Sequence, residues 1–124
     1  MSLIVKDTGK YGRGIFTTSD IKKDELVEVS PVIIIPKEEW DCVGKTIFYH
    51  YCYIWDGTED TVLALGYGSL FNHSYEPNLN SICNHSNISL DFYALRDIKA
   101  GEELTINYHG DLDNRSPLWF DVIE

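Results

Sequence analysis

Short apolar stretches separated by polar turns run along most of the 124-residue chain. Between residues 88 and 94 the side chains alternate, which is the period-2 pattern of a half-buried strand with Ile88, Leu90, Phe92 and Ala94 on one face. Other strands are predicted at residues 3–5, 15–17, 26–29, 32–35, 61–65 and 104–108, with a hinge at residues 30–31. A short helix is predicted to begin near Lys37. Many short strands with frequent turns predict several small β-sheets rather than a helical bundle.

The composition agrees with a strand-rich fold. Valine and isoleucine total 20 residues and threonine adds 7, against 3 alanines, and β-branched side chains pack well on a pleated surface. A hydrophobic content of 44% excludes a disordered chain. The formal net charge of -10 argues against direct nucleic-acid binding, which needs a basic face, and favours a basic protein partner.

The three cysteines, Cys42, Cys52 and Cys83, are too few and too scattered for a disulfide framework and indicate a reducing compartment. The first residues lack a signal-peptide pattern, and no apolar run is long enough to cross a bilayer, so we expect an intracellular protein without membrane contact. Two pairs, His50 with Cys52 and Cys83 with His85, leave a zinc site open as an alternative. Their one-residue spacing is tighter than zinc sites usually have, and we expect no metal.

Three segments carry candidate chemistry, and each also has an ordinary structural explanation. Gly12-Arg13-Gly14 suits either a tight turn or a backbone against which a ligand lies. Asn72-His73-Ser74 follows an apolar strand, and its asparagine can hold an ammonium and a carboxylate or simply cap a turn. The segment from Gly101 to Tyr108 ends in a tyrosine, a residue that usually packs in a core or at its rim.

In this order, and with Pro77-Asn78 behind the second, the three segments resemble the SET-domain protein lysine methyltransferases. The similarity runs from about Gly9 to Tyr108, and the length is that of minimal, SET-only members. The resemblance implies a mostly β, β-clip fold of several small curled sheets with few short helices and a C-terminal pseudoknot. It also implies a single domain over residues 1–124, with a motif-bearing core at about 9–108 and a tail at 109–124 that closes the substrate channel.

The same resemblance implies S-adenosylmethionine as cofactor and a narrow lysine channel that approaches it from the opposite face. The residues it assigns to the cofactor are Gly12, Arg13, Gly14, Asn72, His73 and Tyr108. The residues it assigns to the substrate channel are Tyr53, Tyr67, Ile106, Trp119 and Phe120. Tyr108 and Tyr53 are the catalytic candidates, although Tyr49 or Tyr51 could take the place of Tyr53 in the channel.

The implied chemistry suits these residue types. Methyl transfer from a sulfonium to an amine is an in-line displacement, so the alignment of three atoms matters most. The amine must be neutral although a free lysine has a pKa of about 10.4. An apolar aromatic channel beside a cationic sulfonium favours the uncharged amine, and tyrosine hydroxyls can aim its lone pair.

Some positions depart from the family pattern. Ser69 stands where many members have arginine, which puts one charged cofactor contact in doubt, and Ile106 stands where an aromatic residue is frequent, so the number of methyl groups added stays open. The expected partner is a basic protein with a lysine-containing tail, histone or histone-like, and a homodimer also stays open. The competing hypotheses are a catalytically silent SET-fold module that binds basic peptides and the small zinc protein.

Overall fold

The computed structural model describes residues 2–109, 114–118 and 122. Within them, strands dominate and the helical segments are short; none of these helices is long and apolar enough to cross a membrane. The strands are β1 (Leu3–Asp7), β2 (Arg13–Thr17), β3 (Leu26–Ile35), β4 (Cys52–Ile54), β5 (Thr61–Ala64), β6 (Asn72–His73), β7 (Leu79–Asn84), β8 (Ser89–Ala94) and β9 (Glu103–Ile106). The helical segments are α1 (Trp40–Val43) and 3₁₀ turns at Lys37–Glu39, Ile47–His50 and Gly68–Leu70.

The first sheet has four strands in the order β1-β2-β9-β6. Strand β2 runs antiparallel to β1 and β9, and its fully buried Ile15 lies opposite Leu104, which is also fully buried. Strand β6 runs parallel to β9 and places Asn72 opposite Thr105. This pairing puts the second and third sequence motifs side by side, although about 30 residues separate them along the chain.

The second sheet has five strands in the order β4-β5-β3-β8-β7. The two strands predicted around the hinge at residues 30–31 form one continuous strand, β3. Its first part, up to Pro31, pairs with β8, and its second part, from Val32, pairs with β5. The hinge therefore changes the partner of the strand and does not end it.

Strand β8 differs from the half-buried strand that the alternation predicts. It lies between β3 and β7, and both of its faces are covered, so Ser89 and Asp91 are buried with the apolar residues. The Ser89 hydroxyl donates to Asp91 Oδ1 (2.8 Å), and Asn84 Nδ2 donates to Asp91 Oδ2 (3.0 Å), which satisfies these polar groups. Ile88 is outside the strand: it is half-exposed, in the turn before β8, with a left-handed φ of 53°.

Aromatic side chains hold the two sheets together next to the second motif. Phe71 and Phe92 are buried with ring centroids 4.9 Å apart in an edge-on contact, and Tyr53 packs on Phe92 at 6.1 Å. Burying a large apolar side chain contributes about 1.5–3 kcal/mol. This packing fixes the backbone of Phe71, which leads directly into Asn72.

Asn78 joins the loop after β6 to strand β9. Its side chain is buried, its Nδ2 donates to the Glu103 carbonyl oxygen (2.8 Å), and its Oδ1 accepts from the Thr105 amide (2.8 Å). The Ser74 amide donates to the Ile106 carbonyl oxygen (2.9 Å). The loop after the Asn-His-Ser motif is thus hydrogen-bonded to strand β9, and the expected pseudoknot requires these two segments to lie side by side.

Candidate functional site

Two cavities share part of their lining near the ends of the motif segments. One has a volume of about 420 Å³ and the other of about 270 Å³. Four residues line both cavities: His50, Tyr51, Ser69 and Tyr108. Two ligands that enter from different sides could therefore meet at these side chains.

The larger cavity, called the motif cavity below, is formed by the sequence motifs themselves. Besides the four shared residues it is lined by Tyr11, Arg13, Ile47, Leu70, Asn72 and His73. Three of these, Arg13, Asn72 and His73, belong to the predicted cofactor set. The lining combines aromatic and aliphatic surfaces with amide and guanidinium groups, a donor set that suits a ligand with an apolar ring and a zwitterionic end.

The smaller cavity, called the aromatic cavity, is lined by residues 49–53, called the tyrosine-rich segment, and by residues of β7, β8 and β9. Its lining beyond the shared residues consists of Tyr49, Cys52, Tyr53, Ile54, Asp56, Phe71, Ser81, Cys83, Leu90, Ile106, Asn107 and His109. Aromatic faces stabilise an ammonium group placed over them by about 0.5–2 kcal/mol. The exposed carboxylate of Asp56 adds negative charge to the wall. This cavity suits a cationic side chain.

Tyr108 is fixed at the junction of the cavities by two hydrogen bonds. Its amide donates to His73 Nδ1 (2.9 Å), and its hydroxyl donates to the Phe71 carbonyl oxygen (2.9 Å). Burial, reinforced by the nearby Tyr51 and Glu103, raises the pKa of Tyr108. The hydroxyl therefore stays protonated at neutral pH, and a protonated phenol can accept a hydrogen bond as well as donate one.

Tyr53 and Tyr51 have different positions relative to this junction. Tyr53 lines only the aromatic cavity, and its hydroxyl donates to the Gly68 carbonyl oxygen (2.6 Å). Burial, and then the charge of Tyr108, raises the pKa of Tyr53. Tyr49 also lines the aromatic cavity alone, whereas Tyr51 lines both cavities. Of the three alternatives left open by the sequence, Tyr51 is therefore the one that shares the junction with Tyr108.

The glycines of the first motif shape the loop and do not line either cavity. Gly12 has a φ of 78°, which favours glycine, and its carbonyl oxygen accepts from the Thr8 amide (2.7 Å) to close the turn. Gly14 is required for space, because a Cβ atom there would lie 2.5 Å from Glu103 Oε2 and 2.9 Å from Asn72 Nδ2. Gly12 thus shapes the turn that leads into Arg13, and Gly14 leaves room for the side chains of Glu103 and Asn72.

His73 organises the site from a buried position. Because Nδ1 accepts a hydrogen bond from the Tyr108 amide, the neutral ring carries its proton on Nε2. The ring contacts Tyr75 edge-on at 4.6 Å and Tyr108 at 5.3 Å. Ser69, found where arginine is frequent, donates from its hydroxyl to the Tyr51 carbonyl oxygen (3.0 Å) and so holds the tyrosine-rich segment at the junction.

Glu103 is part of the site, although neither the sequence pattern nor the resemblance assigned it a role. Its Oε2 accepts a hydrogen bond from Asn72 Nδ2 (2.7 Å), and the same nitrogen donates to the Arg13 carbonyl oxygen (3.0 Å). The Asn72 side chain thus links its own motif segment to the first segment through Arg13 and to the third through Glu103. The signal in the sequence was the paired acid in Gly101-Glu102-Glu103, of which Glu102 instead accepts from the Lys99 amide in the preceding turn.

The remaining predicted site residues fall into three groups. Ile106 lines the aromatic cavity, as expected for a channel residue. Tyr67 lines neither cavity, and its hydroxyl donates to the Leu3 carbonyl oxygen at 3.4 Å. Trp119 and Phe120 lie outside the described residues. Upstream of them, the Ser116 carbonyl oxygen accepts from the Tyr75 hydroxyl (2.6 Å), so this part of the tail lies beside the motif loop.

The pairs considered for zinc are not assembled into a metal site. Within the described ranges, no group of three or more His, Cys, Asp or Glu residues could hold a metal ion. Cys52 and Cys83 line the aromatic cavity as free thiols, and burial raises the pKa of each. His85 instead packs against Trp55 with ring centroids 4.4 Å apart.

Comparison with known proteins identifies the family of the chain. Residues 12–109 match the SET domain family. The chain is 39% identical over 120 residues to a Schizosaccharomyces pombe protein named histone-lysine N-methyltransferase, H3 lysine-37 specific, covering 96% of this chain and 77% of that one. It is 35% identical over 116 residues to histone-lysine N-methyltransferase SUV39H2 of Xenopus tropicalis, covering 82% of this chain and 28% of that one.

Solved structures give the same result for the fold. A Plasmodium falciparum protein described as a candidate histone methyltransferase superposes with a TM-score of 0.66 at 27% identity, covering 86% of this chain and 96% of that one. A chain of the ctPRC2 complex superposes with a TM-score of 0.73 at 22% identity, covering 86% of this chain and 14% of that one.

Proposed function

The chain belongs to the SET domain family of protein-lysine methyltransferases, and we propose that it transfers a methyl group from S-adenosylmethionine to a lysine in a basic protein tail. In this proposal the cofactor occupies the motif cavity and the target lysine enters the aromatic cavity. The observation that carries it is that Tyr51 and Tyr108 line both cavities, so that two ligands bound there would face each other at these side chains.

The residues of the motif cavity fit the cofactor. Asn72 uses its Nδ2 donors on Arg13 and Glu103 and keeps Oδ1 as an acceptor for the ammonium of the methionyl part. Arg13 offers a cation for the carboxylate, and the aromatic and aliphatic lining offers a surface for the adenine ring. The bound cofactor would supply an electrophilic methyl group on a sulfonium.

The residues of the aromatic cavity would prepare the lysine. The aromatic and apolar side chains of this cavity, such as Tyr53, Phe71 and Leu90, strip water from the ammonium, and the neighbouring sulfonium repels its charge, so both effects favour release of its proton to solvent before the methyl group is transferred. The protonated hydroxyl of Tyr108 then offers its oxygen to an N–H of the amine and aims the lone pair at the methyl carbon. Tyr51 would complete this orientation from the other wall of the junction.

The substrate we propose is a histone or histone-like tail. Support comes from the net charge of -10, from Asp56 in the wall of the aromatic cavity and from the names of the curated relatives. Further carboxylates follow or precede this lining in the sequence, at Glu38, Glu39, Asp41 and Asp60, whereas Glu59 is paired with Lys37 (2.7 Å). Asp111 and Asp113 lie outside the described residues. A histone substrate would place the enzyme inside the cell.

Methyl transfer tests this proposal directly. The protein is incubated with S-adenosylmethionine and core histones, and the products are searched for methyl-lysine by mass spectrometry. We expect methyl-lysine with the unaltered protein and a loss of turnover of about 100-fold or more with Tyr108→Phe, because the orienting hydroxyl is gone. Cofactor affinity should change little, since the phenylalanine ring keeps the cavity wall.

Tyr67→Phe is the matched control, because Tyr67 lies in the same fold outside both cavities. Its turnover should equal that of the unaltered protein. Cofactor binding without methylation of any basic protein tested would contradict the proposal and favour the silent binding module.

A further inference from the structure

We infer that Glu103 is a positioning residue for the amino group of the cofactor and acts through Asn72. The inference rests on the proposed function, because it concerns the ligand of the motif cavity. Glu103 does not line that cavity, whereas Asn72 does. The carboxylate therefore stands behind the amide that would touch the ligand.

The hydrogen bonds of the Asn72 amide determine which of its atoms can contact a ligand. An asparagine amide has one nitrogen with two N–H donors and one oxygen acceptor. Both donors are used, one on the Arg13 carbonyl oxygen (3.0 Å) and one on Glu103 Oε2 (2.7 Å). Two acceptors on one nitrogen exclude the flipped amide, since its oxygen would then face oxygen. The atom that remains for a ligand is Oδ1, which accepts from an ammonium and not from a carboxylate.

The partner of Asn72 is itself held in place. Glu103 begins β9, where its backbone pairs with Phe16, and its carbonyl oxygen accepts from the buried Asn78. A hydrogen bond to a carboxylate is shorter and stronger than one between neutral groups, which agrees with the 2.7 Å distance. The amide is thus oriented before the ligand arrives, so its ordering costs little on binding.

Gly14 gives an independent sign that the pair is built into the fold. Its φ lies outside the left-handed region, so the backbone alone does not require glycine there. A Cβ atom would instead collide with Glu103 Oε2 at 2.5 Å and Thr8 Cγ2 at 2.7 Å and crowd Asn72 Nδ2 at 2.9 Å. The glycine therefore leaves the space in which this hydrogen bond forms.

Two ligands separate a positioning role from a general structural one. S-adenosylhomocysteine carries the amino and carboxylate groups of the cofactor, and 5′-methylthioadenosine lacks both. Calorimetry would measure the affinity of each for the unaltered protein, Glu103→Gln and Glu103→Leu. We expect Glu103→Leu to weaken S-adenosylhomocysteine by about tenfold or more and to leave 5′-methylthioadenosine unchanged. Glu103→Gln keeps an acceptor without the charge and should fall in between.

Gly14→Ala disturbs the pair without removing either partner, and its Cβ atom would also press on Thr8 Cγ2 at 2.7 Å, so it serves as a supporting variant beside Glu103→Leu. It should also weaken S-adenosylhomocysteine selectively. Unchanged S-adenosylhomocysteine affinity in Glu103→Leu, or an equal loss for both ligands, would overturn the inference and leave the proposed function standing. Failure of the unaltered protein to bind S-adenosylhomocysteine would overturn the proposed function and this inference with it.

Discussion

At the scale of single residues, polar side chains of the site form hydrogen bonds with backbone groups, and these bonds fix their orientation. Tyr108 and Tyr53 each donate to a carbonyl oxygen, and His73 accepts from an amide. The sequence motifs predicted that Asn72, His73 and Tyr108 would meet. They could not show that Glu103 stands behind Asn72 or that Tyr51 reaches the junction, because both facts depend on the pairing of β9 with β6 and on the 3₁₀ turn at Ile47–His50.

The raised pKa values of the buried tyrosines predict how stability responds to alkali. Tyr53 and Tyr108 stay protonated in the folded protein above the ordinary value of 10.0, while the unfolded chain loses these protons. The free energy of unfolding should therefore fall above about pH 10, by up to about 1.4 kcal/mol per pH unit for each group. The thiols of Cys52 and Cys83, whose pKa values burial also raises from 9.0, should begin the decline slightly earlier.

Urea titrations between pH 7 and 11 would measure this dependence. Tyr53→Phe removes one ionisable group and should flatten the curve above pH 10 without changing its shape below pH 9. An identical slope for the variant and the unaltered protein would mean that Tyr53 ionises equally in both states.

At the scale of elements, the chain is held by contacts between distant segments. The local pattern predicted most strands, but it did not predict the 3-residue strand β4, the 2-residue strand β6 or the edge strand β7, which carry no periodic signal of their own. Strand β8 is buried on both faces although its sequence alternates between apolar and polar residues. It lies between β3 and β7, and its polar residues Ser89 and Asp91 form a hydrogen bond with each other. The parallel register of β6 and β9 depends on side chains such as Asn78, which no periodicity reveals.

Asn78→Ala should therefore lower the stability of the protein markedly, although the strand β6 that its loop follows has only two residues. It would leave the Glu103 carbonyl oxygen and the Thr105 amide without their partner in a half-buried place, and we expect a loss of about 2–3 kcal/mol in the free energy of unfolding. Asn80→Ala, two residues further along in β7 and only half-buried, is the control and should cost under about 1 kcal/mol. Equal losses in urea unfolding would contradict the assigned role of Asn78.

At the scale of the whole molecule, the two sheets and the tyrosine-rich segment enclose two cavities that share one wall. Composition and charge predicted a strand-rich protein with a basic partner, and the resemblance of the motifs gave the family. Neither could tell that Tyr67 lies away from the cavities, since its distance from Tyr108 depends on the course of the chain through the 3₁₀ turn at Gly68–Leu70. The proposed methyl transfer therefore requires that the two cavities hold different ligands that meet at Tyr51 and Tyr108.

Amide and aromatic resonance shifts in NMR spectra test this claim most directly. S-adenosylhomocysteine and a lysine-containing histone peptide are titrated separately into the labelled protein. We predict that the first shifts Arg13, Asn72 and His73, that the second shifts Tyr53 and Ile106, and that both shift Tyr51 and Tyr108. Both ligands shifting the residues that line only one cavity, or neither ligand shifting Tyr51 and Tyr108, would contradict the proposed arrangement of cofactor and substrate.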